Sequence, residues 1–352
     1  METRRLGRTD LDIPVLSLGT MTWGRQNSEA DGHAQMDVAL DRGLTLFDAA
    51  EMYPIPRQAE TQGRTEEIIG SWFASRPGAR EKVLLATKVH GRSGETWLRD
   101  GGRPTRVSPA QIEEAVDKSL ERLRTDRIDL YQVHWPDRPM PGFGGNPTVF
   151  EPPARVDDET PIAVQAEAFG RLVQAGKVRH IGVSNESAWG VMQWLKASEG
   201  AVPLPRIQSV QNAYSLVNRT FETALAEIAL REDVGLFAYS VLAQGYLTGK
   251  YRNGALPPGA RKTLFNRLQR YEGPGAEAAI DRYLDLAADA GLDPAQMAIR
   301  FVATRPFVTT VLLGASSVDQ LERNIAAAGI ALPDDVLAEI DIIHRAHASP
   351  AP

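Results

Sequence analysis

Three consecutive apolar runs each end in a reactive side chain. "LTLFD" (44–48) closes on Asp48 with Tyr53 in the loop that follows, "VLLATK" (83–88) closes on Lys88, and "IDLYQVHW" (128–135) carries His134 near its end. A phenol with an ordinary pKa near 10 is a weak proton donor at neutral pH, and a neighbouring ammonium stabilises the phenolate and lowers that value. Asp48 is placed to hold Lys88 in an ion pair, and His134 to polarise a substrate oxygen beside Tyr53. The set suits reduction of a carbonyl, with hydride arriving at carbon and a proton at oxygen. Taken singly, each residue has a structural explanation: a rim ion pair, a loop aromatic, a satisfied histidine. Four at successive strand ends point to a site. Lys88 as a Schiff-base nucleophile is the competing chemistry, and Asp48 argues against it, because an ion pair keeps the amine protonated.

The elements that must position these groups alternate. Eight runs read as strands: 15–19, 44–48, 83–88, 128–135, 178–185, 206–212, 234–240 and 308–314. Amphipathic helical segments separate them. In 108–124, Ser108 is an expected N-cap with Pro109 in the first turn and Gln111 completing a capping box, and Ile112, Val116, Leu120 and Leu123 form the apolar stripe. Near the C-terminus Asp293 caps, and Pro294 opens, a helix that stops before Pro306. Parallel strands need crossover helices, so eight such units predict a closed (β/α)8 barrel. The segment "TRRLGRTDLDIP" predicts a β-hairpin turning at Gly7–Asp10 that plugs the barrel floor. The whole chain, 1–352, reads as one barrel domain. Connections 89–106, 136–161 and 248–271 are long, and active sites of such barrels are built from the loops at the strands' carboxyl ends.

Composition narrows the functional classes. An apolar share of 43% and a charged share of 24% are those of an ordinary globular protein, and a net charge of -6 disfavours a nucleic-acid or acidic-membrane surface. The chain has no cysteine, which excludes disulfides and thiolate chemistry, and its six histidines lack metal-ligand spacing. No metal site is expected. The N-terminus has no signal-like apolar core and no run is long enough to span a bilayer, so a cytoplasmic location is expected.

The segments "FDAAEMY", "LLATKV" and "LYQVHW" resemble the catalytic segments of the aldo-keto reductases. The likeness is to their Tas-type bacterial branch, and also to the potassium-channel β-subunit branch. It runs from "RRLGRTDLDIPVLSLGTMTWG" through "VRHIGVSN", "QNAYSLVNR" and "AYSVLAQGYLTGKY" to "VLLGASSVDQLERN". The resemblance implies that Asp48, Tyr53, Lys88 and His134 form a catalytic tetrad with Tyr53 as general acid, and that the hydride carrier is NADP(H). It implies that Ser184, Asn185 and Gln211 hold the nicotinamide carboxamide, that Tyr239 stacks on the ring, and that Ser240, Leu242, Gln244 and Gly245 line the pyrophosphate path. Lys250 and Arg261 match basic positions that meet the phosphates, and Gly314, Ser316, Gln320 and Asn324 match the adenosine segment. Arg323 stands where many members carry Glu, which leaves Arg261 and Arg323 both as candidates for the ribose phosphate.

No G-x-G-x-x-G follows a strand, and "GFGG" in 136–161 lacks strand-then-helix context, so a Rossmann site is not indicated. "GASSVDQLERN" (314–324) is the better phosphate candidate, because glycine and hydroxyl residues leave a strand and open a helix. Trp23 and Trp135 offer aromatic surface near the mouth, Tyr131 reads as core, and Phe143 and Phe150 stand in a loop that can close over substrate. The expected substrates are small aldehydes or ketones without a required charge. The alternative function is a nucleotide-sensing regulatory protein like the channel β subunits, with slow or no turnover.

Overall fold

The computed structural model describes residues 1–140, 146, 148–200, 204–267 and 269–352. Two short strands, β1 (Thr3–Arg5) and β2 (Asp12–Pro14), pair antiparallel with Thr3 opposite Pro14. Eight more follow: β3 (Leu16–Gly19), β4 (Leu46–Asp48), β5 (Leu84–Val89), β6 (Ile128–Val133), β7 (Val178–Ser184), β8 (Ile207–Ala213), β9 (Gly235–Tyr239) and β10 (Val308–Leu313). They close in the order β10-β3-β4-β5-β6-β7-β8-β9, every pair parallel. Each lies within two residues of the run that predicts it. The protein is a (β/α)8 barrel with an N-terminal hairpin.

Helices follow the strands in turn: α1 (Glu29–Asp41), α2 (Arg64–Ser75), α3 (Pro109–Leu123), α4 (Ile162–Gln174), α5 (Ala188–Ser198) and α6 (Leu225–Arg231). Between β9 and β10 come α7 (Arg261–Phe265), α8 (Pro274–Asp289) and α9 (Pro294–Ala303). After β10 come α10 (Val318–Ile325) and α11 (Asp334–Ala346). No helix among the described residues is long and apolar enough to cross a membrane. Asp293 caps α9 as expected, its carboxylate accepting from the Gln296 N–H. The capping box expected at α3 does not form: the Ser108 side chain makes no cap bond, and the Gln111 carbonyl instead accepts from Arg99 Nε and the Arg106 N–H. Tertiary demand from the 89–106 loop outcompetes the local cap.

The hairpin does plug the floor. Leu6 and Ile13 pack with Leu46, Ala86, Leu130 and Phe237 in a fully buried cluster inside the barrel. The turn is held to the barrel by β8, with the Arg8 N–H donating to Gln208 Oε1 at 2.8 Å. A larger apolar shell lies between barrel and helices and takes up Ile112, Val116 and Leu123 of α3 together with Tyr131. Trp23 belongs to this shell too, donating its indole N–H to Gln35, so the expectation that it faces the mouth is corrected.

Helices α2 and α3 approach closely at Gly70. A Cβ there would stand 2.2 Å from the Arg122 carbonyl oxygen and 2.9 Å from the Leu123 carbonyl carbon, both backbone atoms. Alanine otherwise favours a helix over glycine by about 1 kcal/mol. Gly70→Ala is therefore expected to destabilise the fold by roughly 1–3 kcal/mol through overpacking, read as a lowered urea midpoint. A raised midpoint would show that the two helices separate without cost.

Candidate active site

Side chains alternate along a strand, so a residue two places beyond an inward-facing one also faces inward. Leu46, Ala86, Leu130 and Phe237 line the lower barrel. Two places on stand Asp48, Lys88, Gln132 and Tyr239, and His134 follows Gln132 by the same step. The floor is apolar and the layer above it is polar.

Lys88 is fully buried and donates to Asp48 Oδ2 at 2.6 Å and to the Ala49 carbonyl at 2.7 Å. The other Asp48 oxygen accepts from the side-chain amides of Gln211 at 2.9 Å and Gln132 at 3.3 Å. The ammonium lies 5.2 Å from the Tyr53 ring centroid, and the Tyr53 and His134 rings stand 5.7 Å apart at 77°. The four residues expected to act together are thus in one cluster. Gln132 is the member that sequence reading missed, although its place two residues before His134 put it on the inward face.

Protonation is set by burial. Tyr53 is pushed well above its usual pKa by desolvation first, then by the Asp48 carboxylate and Tyr239, with Arg261 pulling the other way. The expectation that Lys88 lowers this value is corrected: the ammonium is matched by Asp48, and burial of the phenol outweighs the one opposing charge, that of Arg261. His134 lies well below its usual value, through desolvation first and then the positive charge of Lys88, with smaller contributions from His90 and Arg57. Its ring is therefore neutral, and its Nδ1 is buried without a partner among the described residues. Burial also draws Lys88 below the usual lysine value, opposed by Asp48. A neutral phenol and a neutral imidazole, each able to donate a hydrogen bond, sit side by side.

Glu51, the remaining acid of "FDAAEMY", points elsewhere. Its carboxylate takes the Arg99 guanidinium at 2.7 and 2.8 Å and the His90 N–H at 2.6 Å, all buried. The pair bolts the 89–106 loop to the end of β4. Trp135 packs beside Tyr53, Met52 and Leu98 and donates its indole N–H to the Arg92 carbonyl. Phe150 is 85% exposed and covers nothing, while Phe143 and the "GFGG" stretch lie outside the described residues.

A cavity of about 1950 Å³ opens above this cluster. Asp48, Tyr53 and His134 line it, and Lys88 lies behind them. Its walls carry Ser184, Asn185, Gln211, Tyr239, Ser240, Leu242, Gln244, Gly245, Lys250, Arg261, Gly314, Ser316, Gln320, Asn324 and Arg323. One network joins the first of these: Ser184 Oγ donates to the Gln211 carbonyl, Asn185 Nδ2 to the His134 carbonyl, and the Tyr239 hydroxyl to Asn185 Oδ1. Beyond β9 the backbone turns left-handed at Ser240, Ala243, Gln244 and Gly245, a conformation that collects N–H groups into an anion cradle. Lys250 and Arg261 stand near it, each pulled below its usual value by burial, and among the described residues neither is ion-paired to a carboxylate. Lys262 is paired to Glu272 at 3.0 Å, and Ser317 caps α10, so neither lines the cavity. Met21, Ile55, Arg57 and Asn212, which sequence reading did not single out, also line the wall, as do Arg267 and Arg270.

The comparisons agree with this architecture. A sequence model described as "Aldo/keto reductase family" matches residues 15–345. Protein tas of Escherichia coli K12 is 48% identical over 356 residues, covering 100% of both chains. The uncharacterized oxidoreductase YrpG of Bacillus subtilis is 33% identical over 344 residues, covering 97% of this chain and 96% of its own. The L-glyceraldehyde 3-phosphate reductase of Escherichia coli O157:H7 is 30% identical over 351 residues, covering 97% and 92%. With the barrel, the cluster at its mouth and a match running nearly end to end, this chain belongs to the aldo/keto reductase family, carbonyl-reducing oxidoreductases that work with a nicotinamide cofactor.

Proposed function

We propose that the protein is an NADP(H)-dependent reductase of small aldehydes and ketones, with Tyr53 as general acid. The observation that carries this reading is the buried Lys88–Asp48 pair set under Tyr53 and His134 at the wall of a cavity whose volume, about 1950 Å³, has room for a dinucleotide. The residues present fit such a group. A left-handed backbone cradle faces two half-buried cations that no carboxylate pairs among the described residues, which suits an anionic pyrophosphate. When bound, the nicotinamide supplies the hydride. Ser184, Asn185 and Gln211 would hold its carboxamide, Tyr239 would pack against the ring, and Ser240, Leu242, Gln244 and Gly245 would follow the pyrophosphate.

Neutral His134 orients the carbonyl oxygen by a hydrogen bond and does not compete for the proton. The Tyr53 hydroxyl donates a second hydrogen bond to the same oxygen and releases its proton as negative charge develops there. Its high resting pKa keeps the phenol loaded. The Lys88 ammonium, 5.2 Å from the ring, offsets the phenolate once it forms.

For the ribose phosphate we favour Arg323 with Ser316 and Gln320. Arg261 interacts electrostatically with Tyr53 and Lys250, which associates it with the reacting end and the pyrophosphate. Arg323 shares its stretch of wall with the β10–α10 turn, and its planar fork suits a phosphate.

Tyr53→Phe should lower carbonyl turnover by roughly 100- to 10,000-fold with cofactor affinity unchanged, and near-normal turnover in the variant would remove Tyr53 from the acid role. Dissociation constants from quenching of tryptophan fluorescence at fixed salt should favour NADPH over NADH. Arg323→Ala should weaken NADPH binding alone by roughly 1.5–3 kcal/mol, and Arg261→Ala should weaken both cofactors. Equal affinities in the unmutated protein would overturn the assignment to NADP(H). His134 has a folded pKa below the unfolded value of about 6.5, so the folded state binds fewer protons and stability falls as pH drops below about 6.5. The slope approaches roughly 1.4 kcal/mol per pH unit for one proton. His134→Gln should therefore lose less stability than the unmutated protein between pH 7.5 and 5.5 in urea titrations, and an equal loss would mean that His134 accepts a proton in the fold.

A further inference from the structure

The substrate side of the cavity carries a cation that neither the catalytic cluster nor the cofactor wall uses. Around Tyr53 and His134 the wall is mostly apolar, built from Met21, Met52, Ile55, Pro56 and Met140, and Arg57 stands among them. Its backbone is fixed, because the Ile55 N–H donates to the Met21 carbonyl, Arg25 donates to the Pro56 carbonyl, and the Gly63 N–H closes the loop on the Tyr53 carbonyl. Its side chain is fixed as well. Nε meets Glu95 Oε1 at 3.2 Å, Nη1 meets His90 Nε2 at 3.4 Å, and the guanidinium lies 5.8 Å from the Trp135 ring centroid. The Trp135 ring is in turn 5.1 Å from that of His134. The charge therefore stands one aromatic ring away from the group that polarises the carbonyl. Glu95 engages the Nε edge, and Nη2 has no partner among the described residues. An apolar pocket that keeps one guanidinium edge available gains most from a ligand that brings an anion to it.

We propose that Arg57 is the specificity-determining residue of the substrate pocket, and that the preferred substrates are short carbonyl compounds bearing a carboxylate or phosphate that docks on its guanidinium. The proposal rests on the reductase reading above and narrows its substrate class, which the sequence left uncharged. The anion anchors the far end of the molecule, and the apolar wall packs along the short chain between anion and carbonyl. Glu95 competes with the substrate for the same guanidinium. It follows that Arg57 and Glu95 act on specificity with opposite sign.

The test uses two matched pairs with NADPH: 4-oxobutanoate against butanal for the carboxylate, and glyceraldehyde 3-phosphate against glyceraldehyde for the phosphate. The unmutated protein should show a higher kcat/KM for the anionic member of at least one pair, and the pair that shows it identifies the source of the anion. Arg57→Met should cut that value by roughly ten- to a hundredfold, the span of a lost bond to a charged group, mainly through KM, and lower the value for the neutral member by a much smaller factor. Arg57→Lys should restore part of the preference. Glu95→Gln should raise kcat/KM for the anionic member. If Arg57 served only to staple the 89–106 loop, Glu95→Gln would instead mimic Arg57→Met and both would lower turnover of neutral and anionic substrates alike. That result, or a preference for the neutral member in both pairs, overturns the proposal while leaving the reductase reading intact. Absence of Tyr53-dependent turnover on all four compounds overturns the reductase reading and this inference with it.

Discussion

The ion pair between Lys88 and Asp48 is the constraint around which the rest of the barrel mouth is arranged. At 2.6 Å and without solvent exposure of the ammonium, it is a charged pair whose desolvation consumes most of its attraction. A hydrophobic pair of the same volume would serve stability equally well, whereas losing one partner alone leaves a buried charge at a cost of about 3–5 kcal/mol. Its presence is better explained by what it organises. Asp48 has a second oxygen, and Gln132 and Gln211 converge on it from β6 and β8. The pair thus ties four strands of the barrel at one height. The ammonium edge faces the Tyr53 ring and helps to keep His134 uncharged.

The layer beneath explains why that pair can be so dry. Leu6 and Ile13 of the hairpin close the barrel from below, and the row containing Leu46, Ala86 and Leu130 separates that plug from the polar layer. At the mouth the β9–β10 connection, with its left-handed turn and the short helix α7, supplies backbone N–H groups and cations on one side, while the loop after β4 supplies apolar surface and Arg57 on the other. One cavity therefore has two chemically different halves, and Tyr53 and His134 stand between them.

Much of this was legible from the chain. Apolar runs alternating with amphipathic helical segments located all eight barrel strands, and strand-end positions located Asp48, Lys88 and His134, because those features depend on near neighbours in sequence. Contacts distant in sequence were not legible. Gln111 looked like a capping residue until Arg99 and the Arg106 N–H claimed its side chain. Trp23 looked like mouth surface until Gln35, nearly two turns into α1, accepted its N–H. The direction of the Tyr53 shift failed for a related reason: the nearest charge was evident, but the depth of burial that outweighs it is a property of the assembled barrel. Arg57 went unnoticed because its neighbours, Glu95, His90 and Trp135, come from two other strand–loop units.

The Glu51–Arg99 bond has a bearing on how this mouth could diversify. Both side chains are fully enclosed, and the carboxylate also accepts the His90 N–H, so the 89–106 loop is seated on an electrostatic peg that β4 provides. An exchange of that loop that omits arginine strands the acid in a dry interior, and an exchange of the β4 end that omits glutamate strands the base. Either half-exchange is strongly penalised, while a joint exchange is not. Loop and strand end therefore form a single unit of inheritance. A chimaera that transplants the substrate-side loop of a relative into this barrel must carry position 51 along with it.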